Sequence, residues 1–215
     1  MTSAVLQWLA FSTMLVDHIG YTFFPSLPVL RAVGRLSFPI FAFLLTEGFA
    51  HTSDLKKYAG RLFFFGCIAE LPYQMMLYHR WVGFRPSNIL FALLLSLGAL
   101  YCAREGGLWL LGAGTLAVLA QAGGFSYGAY GVLLAVLFYS TREKRWAIPL
   151  VLTGCTLLYC WHHHSLFQIW AVFAAIPLLL YNGEKGRRAP RCLLYILYPV
   201  HLAVLSGLYF LQKSI

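Results

Sequence analysis

Long apolar runs separated by short polar breaks form the pattern of this chain. Each run continues for about 16–22 residues, the length that a helix needs to cross a bilayer. The runs predict about nine helices, and the breaks between them are too short to hold a further domain. The predicted spans are 4–24, 29–51, 61–79, 87–103, 107–123, 125–141, 146–161, 165–181 and 192–212.

The composition, together with this pattern, predicts the fold class. Hydrophobic residues make up 60% of the 215 positions and charged residues 11%, with a mean hydropathy of +0.71. A soluble domain carries about 25% charged residues. Only helices and closed barrels satisfy the backbone in lipid, and barrel strands would be shorter and alternating. We therefore predict an all-α, polytopic transmembrane helix bundle in which residues 1–215 form a single domain.

Loop charges predict the orientation of the bundle. The loops after odd-numbered spans hold only Arg31, Arg80 and Arg85 as basic residues. The loops after even-numbered spans hold Lys56, Lys57, Arg61, Arg104, Arg142, Lys144, Arg145, Lys185, Arg187, Arg188 and Arg191. The positive-inside rule then places the N-terminus in the cytoplasm. The net charge of +9 is explained by these loops, so we expect contact with membrane lipid and no nucleic-acid partner.

Ionisable residues inside the apolar runs are the candidate functional residues, because burying them in hydrocarbon is costly unless they face a cavity or each other. Asp17 and His18 are adjacent in the middle of the first run. A rise of about 1.5 Å per residue places His18 and Arg35 at a similar depth, towards the outer surface. Gln7, eleven residues before His18, shares its helix face.

The remaining polar residues extend from the cytoplasmic side to the outer leaflet and predict a pocket or tunnel through the bundle. Those towards the cytoplasm are Glu47, His51 and Arg61, and the others are Glu70, Asn88, Tyr127, Tyr130 and His201. Structural roles remain open for several of them. His18 is also suited to an interhelical hydrogen bond, Arg35 to a simple ion pair with Asp17, and the tyrosines to the interfacial aromatic belt.

The chemistry of this set fits acyl transfer across a membrane. A neutral imidazole accepts a proton from an attacking amine or hydroxyl group, and a neighbouring carboxylate stabilises its charged form. Adjacent helical residues point about 100° apart, so Asp17 either orients His18 or holds Arg35. Lys57 and Arg61 are placed to hold the phosphates of a cytosolic donor. A proton-coupled transporter with Asp17, Glu70 and His201 as a relay is the alternative from another class.

At these positions the chain resembles the TraX family of conjugal-transfer membrane proteins, which is associated with N-acetylation of pilin. It also resembles, more distantly, the wider integral-membrane acyltransferases. The matching segments keep the family's order and extend over nearly the whole chain. They are LAFSTMLVDHIG at 9–20, GRLSFPIFAFLLTEGFAHT at 34–52, RL to AELPY at 61–73, SNILFALLLSLG at 87–98, FSYGAYGVLL at 125–134 and YPVHLAVL at 198–205.

The resemblance implies a multi-pass enzyme of a bacterial inner membrane that uses cytosolic acetyl-CoA. It implies as acceptor the N-terminal amine of a processed pilin. The family's functional positions correspond to Asp17, His18, Arg35, Asn88, Tyr127 and His201. Glu47, His51, Arg61 and Glu70 match one branch of the family. Family members often have a lysine where this chain has Gln7, and glutamine can only form hydrogen bonds.

These observations give each candidate residue a predicted role. We expect His18 to be the general base and His201 to be a second acid or base. We expect Asp17 and Arg35 to provide the electrostatic environment of His18. Predicted acetyl-CoA-binding residues are Gln7, Glu47, His51, Lys57 and Arg61, and predicted acceptor-binding residues are Glu70, Asn88, Tyr127 and Tyr130. No metal site is predicted. Acetylation of a glycan or another small acceptor is the alternative within the same class.

Overall fold

The computed structural model describes residues 1–80, 82–186 and 193–214. Within these ranges every regular element is helical, which confirms the all-α prediction. The elements are α1 Ser3–Phe23, α2 Pro28–Gly34, α3 Ser37–His51, α4 Leu55–Tyr78, α5 Ile89–Glu105, α6 Trp109–Ala122, α7 Gly128–Ser140, α8 Ala147–His162, a 3-10 helix Leu166–Ala174, α9 Ala175–Leu179 and α10 Leu193–Ser214.

Two predicted spans are each divided in the structure. The second span consists of α2 and α3, and the eighth consists of the 3-10 helix and α9. Among the described residues, two segments are long and apolar enough to cross a membrane, Pro28–His51 and Leu193–Ser214. Nine crossings and a cytoplasmic N-terminus stay predictions. Three basic residues behind the orientation prediction, Arg187, Arg188 and Arg191, lie outside the described residues.

Side-chain caps define where the long helices begin. The hydroxyl oxygen of Thr2 accepts a hydrogen bond from the backbone amide of Val5 at the start of α1. Asn88 caps α5 in the same way by accepting from the amide of Leu90. Asp54 accepts from the amide of Lys57 at the start of α4. These bonds satisfy amides that have no partner inside the helix, so the cap residues fix the helix boundaries.

The packing of α1 determines where the polar residues meet. This helix lies against α2, α3 and α10, while α4 packs between α5 and α10. Leu6 of α1, Phe38 of α3 and Leu202 of α10 are fully buried in one continuous apolar core. The first and last described helices are therefore neighbours, although they come from opposite ends of the chain.

Gly34 allows α2 to approach α1 closely. A Cβ atom at this position would lie 2.2 Å from the Cβ of Asp17, a distance that real atoms do not tolerate. The helix is interrupted immediately afterwards, at Arg35 and Leu36, before α3 begins. Pro39 lies in the first turn of α3, where its missing N–H removes no helical hydrogen bond. The contact at Gly34 brings Arg31 of α2, and Arg35 directly after it, to Asp17.

Candidate functional site

Two cavities lie along α1 and adjoin in the middle of the bundle. The larger has a volume of about 460 Å³ and includes Ser3 and Gln7 in its wall. The smaller has a volume of about 230 Å³ and includes Asp17 and His18. Met14, Ile89 and Tyr198 line both cavities. Because Met14 lies one helical turn before His18, the two cavities adjoin next to the predicted base.

His18 is paired with His201 across the contact between α1 and α10. Nδ1 of His18 lies 2.8 Å from Nε2 of His201, and the two rings are nearly parallel. Nδ1 of His201 lies 2.9 Å from the carbonyl oxygen of Leu197. The structure thus brings together two residues that the sequence singled out separately, and His201 occupies the orienting position next to the predicted base.

The hydrogen-bond partners determine the tautomer of both rings when they are neutral. A carbonyl oxygen can only accept, so the proton of His201 lies on Nδ1 and its Nε2 is an acceptor. Nδ1 of His18 must therefore donate to His201. Nε2 of His18 is left unprotonated, on a ring that lines the smaller cavity. This is the form that a general base requires.

Asp17 holds two arginines. Its Oδ1 atom accepts from Nε of Arg31 at 2.8 Å and from a terminal nitrogen of Arg35 at 2.9 Å. Of the two roles left open by the sequence, the structure therefore shows the pairing with Arg35. Arg31 was missed as a site residue because it was assigned to a loop. Its spacing of one helical turn from Arg35 was the signal available in the sequence.

Further contacts fix Arg35 in the wall of the smaller cavity. Its Nε donates to the carbonyl oxygen of Arg31 at 3.3 Å, and Nη1 donates to Oε1 of Gln168 at 3.5 Å. The guanidinium group also lies over the ring of Phe167. Among the described residues these bonds and the ion pair with Asp17 use three of its five N–H groups. Donors therefore remain for a bound group.

The two tyrosines predicted to bind the acceptor have different positions. Tyr127 lines the smaller cavity, where its ring stacks on Phe38 at 3.8 Å between centroids. It has a positive φ of 64° at the residue before α7, which sets the direction of that helix. Tyr130 is buried outside both cavities, with its hydroxyl 3.3 Å from Oγ1 of Thr156. Only Tyr127 is placed to contact an acceptor.

Glu70 and Asn88, also predicted to bind the acceptor, form a buried network outside both cavities. Oε1 of Glu70 accepts from Gln74 and from the hydroxyl of Ser87. Oε2 accepts from the backbone amides of Ser87 and Asn88 and from the side-chain amide of Asn88. This network attaches the segment before α5 to α4, so the structure gives Glu70 and Asn88 a role in fixing the start of α5.

Four of the five residues predicted to bind the donor line the larger cavity: Gln7, Glu47, His51 and Arg61. The exception is Lys57, which is exposed and forms an ion pair with Asp54 at 3.1 Å. The hydrogen bond from the Lys57 amide, with the ion pair, lowers the pKa of Asp54 below its ordinary value. Lys57 therefore belongs to the helix start rather than to the cavity wall.

Arg61 is a cation in the wall of the larger cavity. Its Nε atom is buried and has no hydrogen-bond partner among the described residues. The guanidinium lies 5.6 Å from the centre of the Tyr58 ring. Lys185, which the sequence had not singled out for this site, adds a second cation to the wall. A buried, unpaired guanidinium nitrogen is costly, and a phosphate oxygen would satisfy it.

Comparison with known proteins identifies relatives of the chain. The chain is 31% identical to a probable fimbrial assembly protein, FimC of serogroup H1, from Dichelobacter nodosus, across 96% of each chain. It is 30% identical to Protein TraX of Escherichia coli over 71% of this chain and 62% of the relative. No solved structure matches the chain. The family model described as TraX protein matches residues 2–209, and the chain therefore belongs to the TraX family.

Proposed function

We propose that this protein is a multi-pass inner-membrane acetyltransferase that uses cytosolic acetyl-CoA. The acceptor is the N-terminal amine of a pilin, presented at the membrane or its outer face. Membership of the TraX family and the name of the FimC relative support a pilin-related role. The observation that carries the chemistry is that two cavities adjoin beside an imidazole whose Nε2 is unprotonated.

The larger cavity is the proposed donor site. Its volume of about 460 Å³ lies within the range of ordinary ligand pockets. Its end near Ser3 and Lys185 is the end that loop charges assign to the cytoplasm. Acetyl-CoA supplies an activated thioester together with anionic phosphates. Arg61 and Lys185 would hold those phosphates, and the unpartnered Nε of Arg61 supports this assignment.

His18 moves the proton in the proposed reaction. As the amine nitrogen forms its bond to the acetyl carbon, Nε2 of His18 takes the proton that the nitrogen loses. The Nδ1–H of His18 remains donated to His201, whose own Nδ1–H is donated to the Leu197 carbonyl, so the positive charge is stabilised along this line. When the carbon–sulfur bond breaks, Nε2 returns the proton to the thiolate of CoA.

Transfer and binding assays on purified full-length protein test this proposal. The substrates are acetyl-CoA labelled in the acetyl group and a synthetic peptide with the N-terminal sequence of a mature pilin. His18→Asn is expected to lower kcat by about 10²–10⁴ while acetyl-CoA still binds, because only the base is removed. A wild-type protein that neither binds acetyl-CoA nor transfers acetyl, and that instead carries out proton-linked uptake in liposomes, would refute the proposal.

A matched pair of variants on one helix tests the donor site. Arg61 and Lys57 lie one turn apart on α4, but only Arg61 lines the larger cavity. Arg61→Gln is expected to raise the Kd for acetyl-CoA by about 10–100-fold, which corresponds to the binding free energy of one charge-assisted hydrogen bond. Lys57→Gln should leave that Kd unchanged. Equal effects of the two substitutions would show that general surface charge, rather than the cavity, attracts the donor.

A further inference from the structure

We infer that the hydroxyl group of Tyr198 is the oxyanion donor of the reaction, an inference that rests on the proposed acetyl transfer. As the amine attacks, the electron pair of the acetyl C=O bond moves to oxygen. The Tyr198 O–H donates a hydrogen bond to that oxygen and keeps its proton. The electron pair then re-forms the C=O bond as the carbon–sulfur bond breaks.

The position of Tyr198 carries the first part of the argument. It is 4% exposed and lines both cavities, where the acetyl group must lie if the donor and the acceptor arrive from opposite sides. His201 follows it by one turn of α10, and the two rings lie 5.5 Å apart. His18 faces this turn from α1. The Tyr198 ring therefore lies beside the residue that orients the base.

The surroundings of the Tyr198 hydroxyl carry the second part. The backbone amide of Ile89 faces the hydroxyl oxygen. This amide belongs to the first residue of α5, which has no acceptor within the helix. No acceptor for the hydroxyl proton is found in the part of the chain that the structure describes, so this proton can be donated to a bound group.

The start of α5 fixes a neighbour of this hydroxyl. Ile89, at that terminus, lines both cavities together with Tyr198. The Glu70 carboxylate accepts hydrogen bonds from Asn88, the residue before Ile89, and so has an indirect part in positioning the Ile89 amide.

The other donors near His18 are less suitable for this role. Arg35 and Tyr127 line only the smaller cavity. Arg35 is also held by Asp17 and Gln168. Both residues are better placed to contact the acceptor. Tyr198 alone among these three donors reaches the region shared by the two cavities.

Tyr198→Phe tests the inference, since it removes the hydroxyl and keeps the ring. Loss of one preorganised oxyanion donor is expected to lower kcat by about 10²–10³. The KM for acetyl-CoA and the pH midpoint of kcat should stay unchanged, because neither the donor site nor the base is altered. Tyr139→Phe is the control, since Tyr139 packs against Phe49 outside both cavities and should retain wild-type kcat.

The outcomes separate this inference from the proposed function. If wild-type protein transfers acetyl and Tyr198→Phe retains more than about a third of its kcat, the inference is wrong and the proposed function stands. Loss of acetyl-CoA binding in this variant also overturns the inference, because Tyr198 would then shape the donor site. If wild-type protein neither binds acetyl-CoA nor transfers acetyl, the proposed function fails and the inference with it.

A second set of variants covers the case in which Tyr198→Phe does not fold. Fluorotyrosines incorporated at position 198 keep the ring and the hydroxyl while making the hydroxyl a stronger donor. The inference requires kcat to change steadily with the number of fluorine atoms at a pH where the hydroxyl is protonated. A kcat that is independent of fluorination overturns it.

Discussion

Glu70→Gln separates a structural role of this residue from a role in substrate binding. The wild-type carboxylate accepts two hydrogen bonds at Oε1 and three at Oε2, and it is fully buried. An amide cannot reproduce this pattern, because its NH₂ group must face one of the two sets of donors. The least costly orientation places NH₂ at the Oε1 position, opposite Gln74 and the Ser87 hydroxyl.

The magnitude of the effect follows from those two lost bonds. A hydrogen bond to a charged group contributes about 1.5–3 kcal/mol, so the substitution is expected to cost about 3–6 kcal/mol in free energy of unfolding. For a chain of this size, each kcal/mol corresponds to a fall of about 2–4 °C in Tm. Rotation of the Ser87 hydroxyl recovers one bond at most, because Gln74 is held by its bonds to Val82 and Gly83.

Thermal unfolding in detergent, followed by the exposure of buried cysteines to a thiol-reactive dye, measures this change. Glu105→Gln is the matched control, since Glu105 pairs with Arg104 on the surface and should shift Tm by little. A Tm for Glu70→Gln equal to that of wild type, together with a raised KM for the acceptor, would refute the reasoning. Glu70 would then contact substrate after all.

Three further changes have defined outcomes. Gly34→Ala should lower kcat without abolishing acetyl-CoA binding, because the added Cβ displaces Asp17; unchanged kinetics would contradict the close approach. His201→Leu should lower kcat about a hundredfold by removing the acceptor of the His18 Nδ1–H, and His201→Gln, which keeps an acceptor, should lose less. The lowered pKa of Asp54 makes its cap stabilising at neutral pH, and this contribution is lost as pH falls through the folded-state pKa. Asp54→Asn should therefore flatten the acid limb of a plot of Tm against pH.

The sequence predicted the helices well because each apolar run is a local property. The grouping of Glu47, His51 and Arg61 followed from their depth along neighbouring helices, and all three line the larger cavity. Lys57 was assigned to the donor site by its charge, and it lies outside the cavity wall in an ion pair with Asp54. An aspartate three residues earlier is a sign of a helix cap that the sequence contains.

The long-range hydrogen bonds could not be predicted from the sequence. Which acceptor a buried side chain finds depends on how loops return to the bundle. The segment before α5 folds back onto Glu70 and donates hydrogen bonds to its carboxylate, which lines neither cavity. Similarly, α2 turns back over α1 and adds Arg31 to the pair expected between Asp17 and Arg35. Neither of these two chain reversals produces a periodic pattern that can be recognised in a single sequence.

The contact between α1 and α10 has a consequence for the synthesis of the protein. His18 and His201 are 183 positions apart, so the ring that fixes the tautomer of His18 is made long after the base itself. Chains are synthesised from the N-terminus at about 5–20 residues per second, which leaves the first helix without its partner for roughly ten seconds or more. The Nδ1–H of His18 finds its acceptor only when α10 packs, so under the proposed reaction an unfinished chain would lack an oriented base.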